Sequence, residues 1–158
     1  MIKILFICHG NICRSPMAEI IFKNMIQQKN LADQFFVSSA ATSSEEIWNG
    51  VGNPVYPPAK AELAKHGLSC GDKHAVLLKR EDYEKYDYLI GMDSANIRNM
   101  KRILVGDPKG KIYKLLSFAG SDRDVADPWY TGKFDVTYRD IEIGCKELLA
   151  FLLTKQYD

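Results

Sequence analysis

Residues 8–15 read Cys8-His9-Gly10-Asn11-Ile12-Cys13-Arg14-Ser15 and lie between an apolar run at 2–7 and Pro16, which opens a segment of helical periodicity. The apolar run is β-branched or aromatic almost throughout and short enough for a buried strand. Ser15-Pro16 signals a helix start, with a hydroxyl at the cap and a proline at the first helical position, where its missing N–H costs nothing. The stretch therefore joins a strand's carboxyl end to a helix's amino end. Backbone N–H groups of such a loop converge and the helix adds partial positive charge, so an anion is favoured there before any side chain is counted.

The side chains narrow the anion to one that is attacked. A Cys8 thiolate is stabilised by the same amides. Arg14 offers a planar fork that holds two phosphoryl oxygens at once, which a lysine cannot do. Gly10 is expected to let the backbone turn through positive φ, with Asn11 the next most tolerant residue. Ser15 can donate to the thiolate as well as cap the helix. His9, Ile12 and Cys13 complete the loop and, with Gly10, Asn11 and Ser15, form the expected phosphate contacts. A cysteine with an arginine six positions on is weak evidence alone, and the bland reading is a buried cysteine beside an arginine in a surface ion pair. The order of strand, Gly-Asn, Ser-Pro and helix favours the phosphate site.

Outward from the loop, Met17, Ile21 and Met25, with Ile20 and Phe22 beside them, form a helical stripe that fades near Asn30. A second strand is expected at 35–37, running into Ser38-Ser39-Ala40. A long loop over 42–58 holds the isolated Trp48, which either anchors the loop or lines a pocket. A short helix over 58–66 closes at Gly67, and another is expected at 80–85. A third strand runs over 88–92, and Asp93-Ser94 caps a helix to about Arg102, which makes Asp93 a cap rather than a catalyst. A turn at 106–110 precedes a fourth strand at 112–116. Ile141, Cys145, Leu148, Leu149, Leu152 and Leu153 then form one face of a final helix. Strands alternating with helices predict an α/β fold: one three-layer domain over 1–158, with a four-stranded parallel sheet covered by helices on both faces and the phosphate-binding loop after the first strand.

The 158 residues suffice for one core, and a net charge of +1 gives no reason to expect a nucleic-acid or membrane partner. No apolar helical span of about 18 residues and no cleavable signal pattern occurs, so a cytoplasmic location is expected. The four cysteines, Cys8, Cys13, Cys70 and Cys145, form neither a zinc knuckle nor a disulfide framework. Cys70 and Cys145 are read as packing residues, His66 and His74 as surface imidazoles, and no metal or other cofactor is expected.

The stretch from Cys8 to Pro16, continuing into Met17-Ala18-Glu19, resembles the signature of the low-molecular-weight protein tyrosine phosphatases, and the resemblance extends over essentially the whole chain. It implies a phosphotyrosine-containing protein or small aryl phosphate as substrate, phosphate, sulfate or vanadate as site ligands, and a monomer. It also implies a reversible protective disulfide between Cys8 and Cys13, and a cleft wall formed by Trp48. The pattern departs at Cys70-Gly71-Asp72-Lys73-His74-Ala75-Val76, where Lys73 stands in place of a histidine and Val76 in place of an arginine. That histidine helps fix the loop asparagine in the family, so Asn11 is expected to be held differently. His9 stands where a smaller or apolar residue is usual, at a rim where it would favour acidic substrates.

Expelling a phenolate, whose conjugate acid has a pKa of about 10, calls for a proton donor. Asp122, Asp124 and Asp127 lie between the fourth strand and the final helix, on a loop leaving the sheet edge that carries Cys8. Asp127-Pro128-Trp129-Tyr130 has a stiffened backbone and two aromatics, and the resemblance matches it to the family's acid. Asp122 and Asp124 are read as solvated loop acids. The expected mechanism is attack by Cys8, phosphoryl binding by Arg14, and protonation of the phenol by Asp127, which then acts as base toward water. Trp129 and Tyr130, with Trp48, would shape a slot for a phenyl ring. The rival readings are an arginine phosphatase of this fold, which carries threonine where Ile12 stands, a thioredoxin-coupled arsenate reductase, which in one group needs a closely spaced downstream cysteine pair absent here, and a silent phosphate-binding module.

Overall fold

The computed structural model describes residues 1–155, so the last three residues of the expected domain lie outside the described residues. Its centre is a parallel sheet in the order β2-β1-β5-β6, built from β1 (Ile2–Cys8), β2 (Phe35–Ala41), β5 (Tyr88–Gly91) and β6 (Ile112–Lys114). Alternation along β1 divides the interior. Ile4, Phe6 and Cys8 face one core, and Leu5 and Ile7 face the other. The first core is closed by α1 (Arg14–Gln28) and α6 (Phe134–Lys155), the second by α4 (Ser94–Ile103). The expected three-layer arrangement is present.

Pattern and structure agree most closely at the final helix, where Ile141, Cys145, Leu148, Leu149 and Leu152 are all buried. The Cys145 thiol is enclosed, and burial pushes its pKa up. Gly144 is required there, because a Cβ would meet the Leu115 side chain at 2.5 Å. α4 starts as expected: Asp93 accepts from the Asn96 N–H at 2.7 Å, and the Asn96 side chain accepts from the Asp93 N–H in return.

Several boundaries differ. α1 begins at Arg14 with Cys13 in the cap position and no side-chain cap, so Pro16 falls third in the helix and the Ser15 hydroxyl is free for another partner. The first short helix, α2 (Pro57–Lys65), starts one residue early, and the second, α3, is only Asp82–Lys85. The fourth strand stops at Lys114, where the chain tightens into a 3-10 turn, Leu115–Ala119. Inside the expected long loop lies a hairpin, β3 (Ile47–Trp48) with β4 (Val51–Gly52), turning at Asn49 and Gly50, both at positive φ. That is the Asn-Gly turn that suits tightly twisted hairpins. His66 is exposed, as expected, and stacks on Tyr138 with ring centroids 3.7 Å apart.

β2 and β5 flank β1 on opposite sides, so the chain leaves β1 in one direction and returns beside it in the other. At such a switch point the loops after two adjacent strands part and leave a crevice at the carboxyl edge. Cys8 ends β1, and Asp93 follows β5 at the same edge.

Candidate active site

The crevice is lined by Cys8, His9, Gly10, Ile12, Cys13, Arg14, Glu45, Glu46, Asp127, Trp129 and Tyr130. Cys8 lies at the end of a buried strand. Its Sγ is 3.0 Å from the Ser15 hydroxyl and accepts from the Ser15 N–H at 3.4 Å. Asn11 Nδ2 donates to the same hydroxyl at 2.8 Å, which leaves the serine's own hydrogen free to point at sulfur. The two cleft thiols, Cys8 and Cys13, are free. Burial, then the charges of Cys8 and Asp127, push Cys13 up to about 12, so it stays a neutral thiol at neutral pH and is a poor nucleophile.

The left-handed residue of the loop is Asn11, at φ 59°, and not Gly10. Asn11 earns the conformation through its side chain, which is buried and fully bonded. Its Nδ2 also donates to Ser39 Oγ at 3.0 Å, and its Oδ1 accepts from the Val76 N–H at 2.9 Å. Ser39 in turn donates to Glu19 Oε1 at 2.6 Å, and Lys73 Nζ donates to the Ser39 carbonyl at 3.1 Å and lies 3.8 Å from Glu19. Asn11 is thus held despite the altered segment at 70–76. Position 76 contributes only a backbone N–H, which valine supplies as well as arginine. Burial lowers the Lys73 pKa, an effect the Glu19 carboxylate opposes. Lys73 stands where the family pattern has its histidine, whereas nothing local in the sequence marks Glu19 and Ser39 as partners of Asn11. Asn11→Ala is expected to lower unfolding stability by about 2–4 kcal/mol, because it strands buried partners and leaves an unsupported left-handed residue. Urea denaturation checks this, and an unchanged midpoint would mean that the side chain does not hold the loop.

Arg14 is buried and triply engaged. Nη1 donates to Asp93 Oδ2 at 2.7 Å and to the Val125 carbonyl at 2.9 Å, and Nη2 donates to Asp127 Oδ2 at 3.4 Å. Burial works against its charge, but Cys8, Asp93 and Asp127 outweigh that and raise its pKa above the ordinary value. Asp93 therefore does more than cap α4: one oxygen caps the helix and the other orients Arg14. Sequence reading gave it only the first role, because its second partner lies 79 positions away. Asp127 caps the short helix α5 (Pro128–Thr131) through Oδ1, which accepts from the Trp129 N–H at 3.0 Å, and turns Oδ2 toward Arg14.

The rim is arranged as follows in the structure. Trp48 is not among the cleft-lining residues and is 78% exposed. Neighbours along a strand point to opposite faces, and Ile47 packs on the core, so Trp48 faces outward. Glu45 and Glu46 take the place expected for it. Trp129, 52% exposed and packed on Tyr56, and Tyr130, 85% exposed, do line the cleft. His9 pairs with Glu45 at 3.0 Å, and Glu46 accepts from Asn53 Nδ2 at 2.7 Å. His9 is therefore engaged with a carboxylate at the rim. Among the described residues no group of three or more His, Cys, Asp or Glu is arranged to hold a metal ion, and no helix is long and apolar enough to cross a membrane.

A cysteine and an arginine on a strand–loop–helix turn, at the switch point of a parallel sheet and facing an aspartate across one cleft, define the class of the protein as α/β. The chain belongs to the family described as low molecular weight phosphotyrosine protein phosphatase, whose sequence model matches residues 3–157. It is 37% identical over 152 residues to the low molecular weight protein-tyrosine-phosphatase YfkJ of Bacillus subtilis, covering 95% of each chain. The crystal structure of YfkJ superposes with a TM-score of 0.92 at 35% identity, over 98% of this chain and 96% of that one. The Drosophila arginine phosphatase DARP is also similar, with a TM-score of 0.84 at 31% identity, over 96% and 97% of the two chains.

Proposed function

We propose that this protein hydrolyses phosphotyrosine, in proteins and in small aryl phosphates, through a phosphocysteine intermediate. The observation that carries the reading is the meeting of Cys8, Arg14 and Asp127 in one cleft, with the Ser15 hydroxyl 3.0 Å from the sulfur. The Cys8 thiolate attacks phosphorus in line, while Arg14 and the loop amides from His9 to Ser15 take up the charge of the equatorial oxygens. Asp127 protonates the departing phenol oxygen, and its carboxylate then removes a proton from the water that cleaves the S–P bond. Phosphate is released, and vanadate or sulfate would occupy the same loop. Nothing in this sequence of steps calls for a metal or cofactor. The reading treats the protein as a cytoplasmic monomer.

Ile12 lines the cleft, and its bulk and lack of a hydroxyl suit an aryl ring better than a guanidinium. Trp129 and Tyr130 supply apolar surface on the acid side. An arsenate-reducing relay is not supported, since Cys145 is enclosed between α6 and α1, where its thiol lies 3.8 Å from the Ala18 carbonyl. One preparation assayed on a phosphotyrosine peptide, a phosphoarginine peptide and arsenate with a thiol reductant tests the assignment. The phosphotyrosine peptide should be turned over with a kcat/KM at least about 100-fold above the phosphoarginine peptide, the scale on which a mismatched pocket discriminates. Preference for phosphoarginine or arsenate would overturn it, and vanadate binding without any turnover would mark a silent module.

A further inference from the structure

Asp124, read from sequence as a solvated loop acid, is the knot of a junction. Its Oδ1 accepts from the Ser94 N–H at 3.0 Å, the Ser94 hydroxyl at 3.3 Å and Lys114 Nζ at 2.9 Å, and Lys114 also donates to the Ser94 hydroxyl at 3.1 Å. The first residue of α4, the last of β6 and the loop that carries Asp127 therefore meet at a single carboxylate oxygen. Burial works against the ionised form of Asp124, and Lys114 and Ser94 outweigh it to hold the carboxyl below its usual range.

The loop is pinned on either side of this knot. Arg123 makes a two-pronged contact with Asp140 of α6, at 3.0 and 2.8 Å. The Val125 N–H donates to the Met92 carbonyl at 2.9 Å, and the Ala126 carbonyl accepts from the Thr137 hydroxyl at 3.3 Å. Of these ties, the one at Asp124 runs to Ser94, the residue next to Asp93. The same helix start thus orients Arg14 through Asp93 and the acid loop through Ser94.

We infer that Asp124 is a positioning residue for Asp127, tying the acid loop to Ser94 and Lys114 so that the Asp127 carboxyl stands at the leaving oxygen while Arg14 holds the phosphoryl group. The inference rests on the proposed role of Asp127 as general acid. Because Arg14 keeps its own contact with Asp93, releasing Asp124 displaces the acid more than the phosphate site.

A proton donor matters in proportion to the basicity of the leaving group. The test is therefore kcat/KM, which reports the steps through phosphoryl transfer to sulfur, on a phosphotyrosine peptide and on p-nitrophenyl phosphate, whose far more acidic phenol departs with little help. Asp124→Ala should lower kcat/KM for the peptide about tenfold and for p-nitrophenyl phosphate less than about threefold, the scale of a small misplacement of a reacting group. Asp124→Asn, which can still accept from Ser94, should recover part of the loss. Lys114→Met cuts the knot from β6 and should give the same asymmetry, and it stands in for Asp124→Ala if that variant fails to fold. Equal losses on both substrates, or none, would overturn the positioning role. Asp127→Asn measured alongside separates the two ideas: a steep asymmetry there with none in Asp124→Ala removes only the positioning role, whereas no asymmetry in Asp127→Asn removes the acid assignment and the inference with it.

Discussion

Cys8→Ser is expected to bring turnover of p-nitrophenyl phosphate and phosphotyrosine peptides to background, a loss of about 10⁴-fold or more, as for other enzymes deprived of their covalent nucleophile. The serine hydroxyl would occupy the same place at the end of β1, beside the Ser15 hydroxyl and the Ser15 N–H. Those two groups stabilise a thiolate, but an alcohol in the same surroundings remains protonated. Vanadate or phosphate should still bind, since Arg14 and the loop amides are untouched. Isothermal titration alongside the activity assay makes the distinction, and normal activity in this variant would end the proposed mechanism.

Arg14→Lys is expected to reduce kcat/KM by about 10²–10³-fold, the usual scale for losing a preorganised donor to transition-state oxygens. Charge is not what the change removes. The guanidinium reaches Asp93, the Val125 carbonyl and Asp127 while presenting a plane to the loop, and an ammonium has neither the plane nor the number of directed donors. The substitution should also lower unfolding stability by about 1–3 kcal/mol, because the buried Val125 carbonyl and the Asp93 carboxylate lose partners. Steady-state kinetics with urea unfolding on the same preparation checks both effects. A loss of stability with kcat/KM unchanged would make Arg14 a structural residue only.

How much of this was legible in the sequence depended on whether the causes were local. The strand–loop–helix around Cys8, the helix cap at Asp93, and the face of α6 could be read because each is fixed by residues a few positions apart. The hairpin of β3 and β4 was passed over because two-residue strands carry almost no periodicity, although Asn49-Gly50 was a usable turn signal. The outward face of Trp48 was hidden for the same reason, since only a strand assignment fixes the face on which the ring lies. Other partners were hidden by distance along the chain. Arg14 meets Asp93 79 positions away, Asn11 meets Val76 65 positions away, and Asp124 meets Ser94 30 positions away. Sheet order brings such residues to one edge, and no local pattern encodes it. Position 76 illustrates the opposite case, in which a change of side chain suggested a lost contact that the backbone N–H supplies.

A phosphoryl group that passes through the sulfur of Cys8 can be captured there. The Asp127→Asn variant, mixed with p-nitrophenyl phosphate and quenched in denaturant within milliseconds, should carry one phosphoryl group, because a good leaving group allows the first step while the missing base slows the second. Peptide mass spectrometry should locate it on Cys8. Release of p-nitrophenol with no phosphoryl group on the protein, or with the group on any residue other than Cys8, would contradict the account.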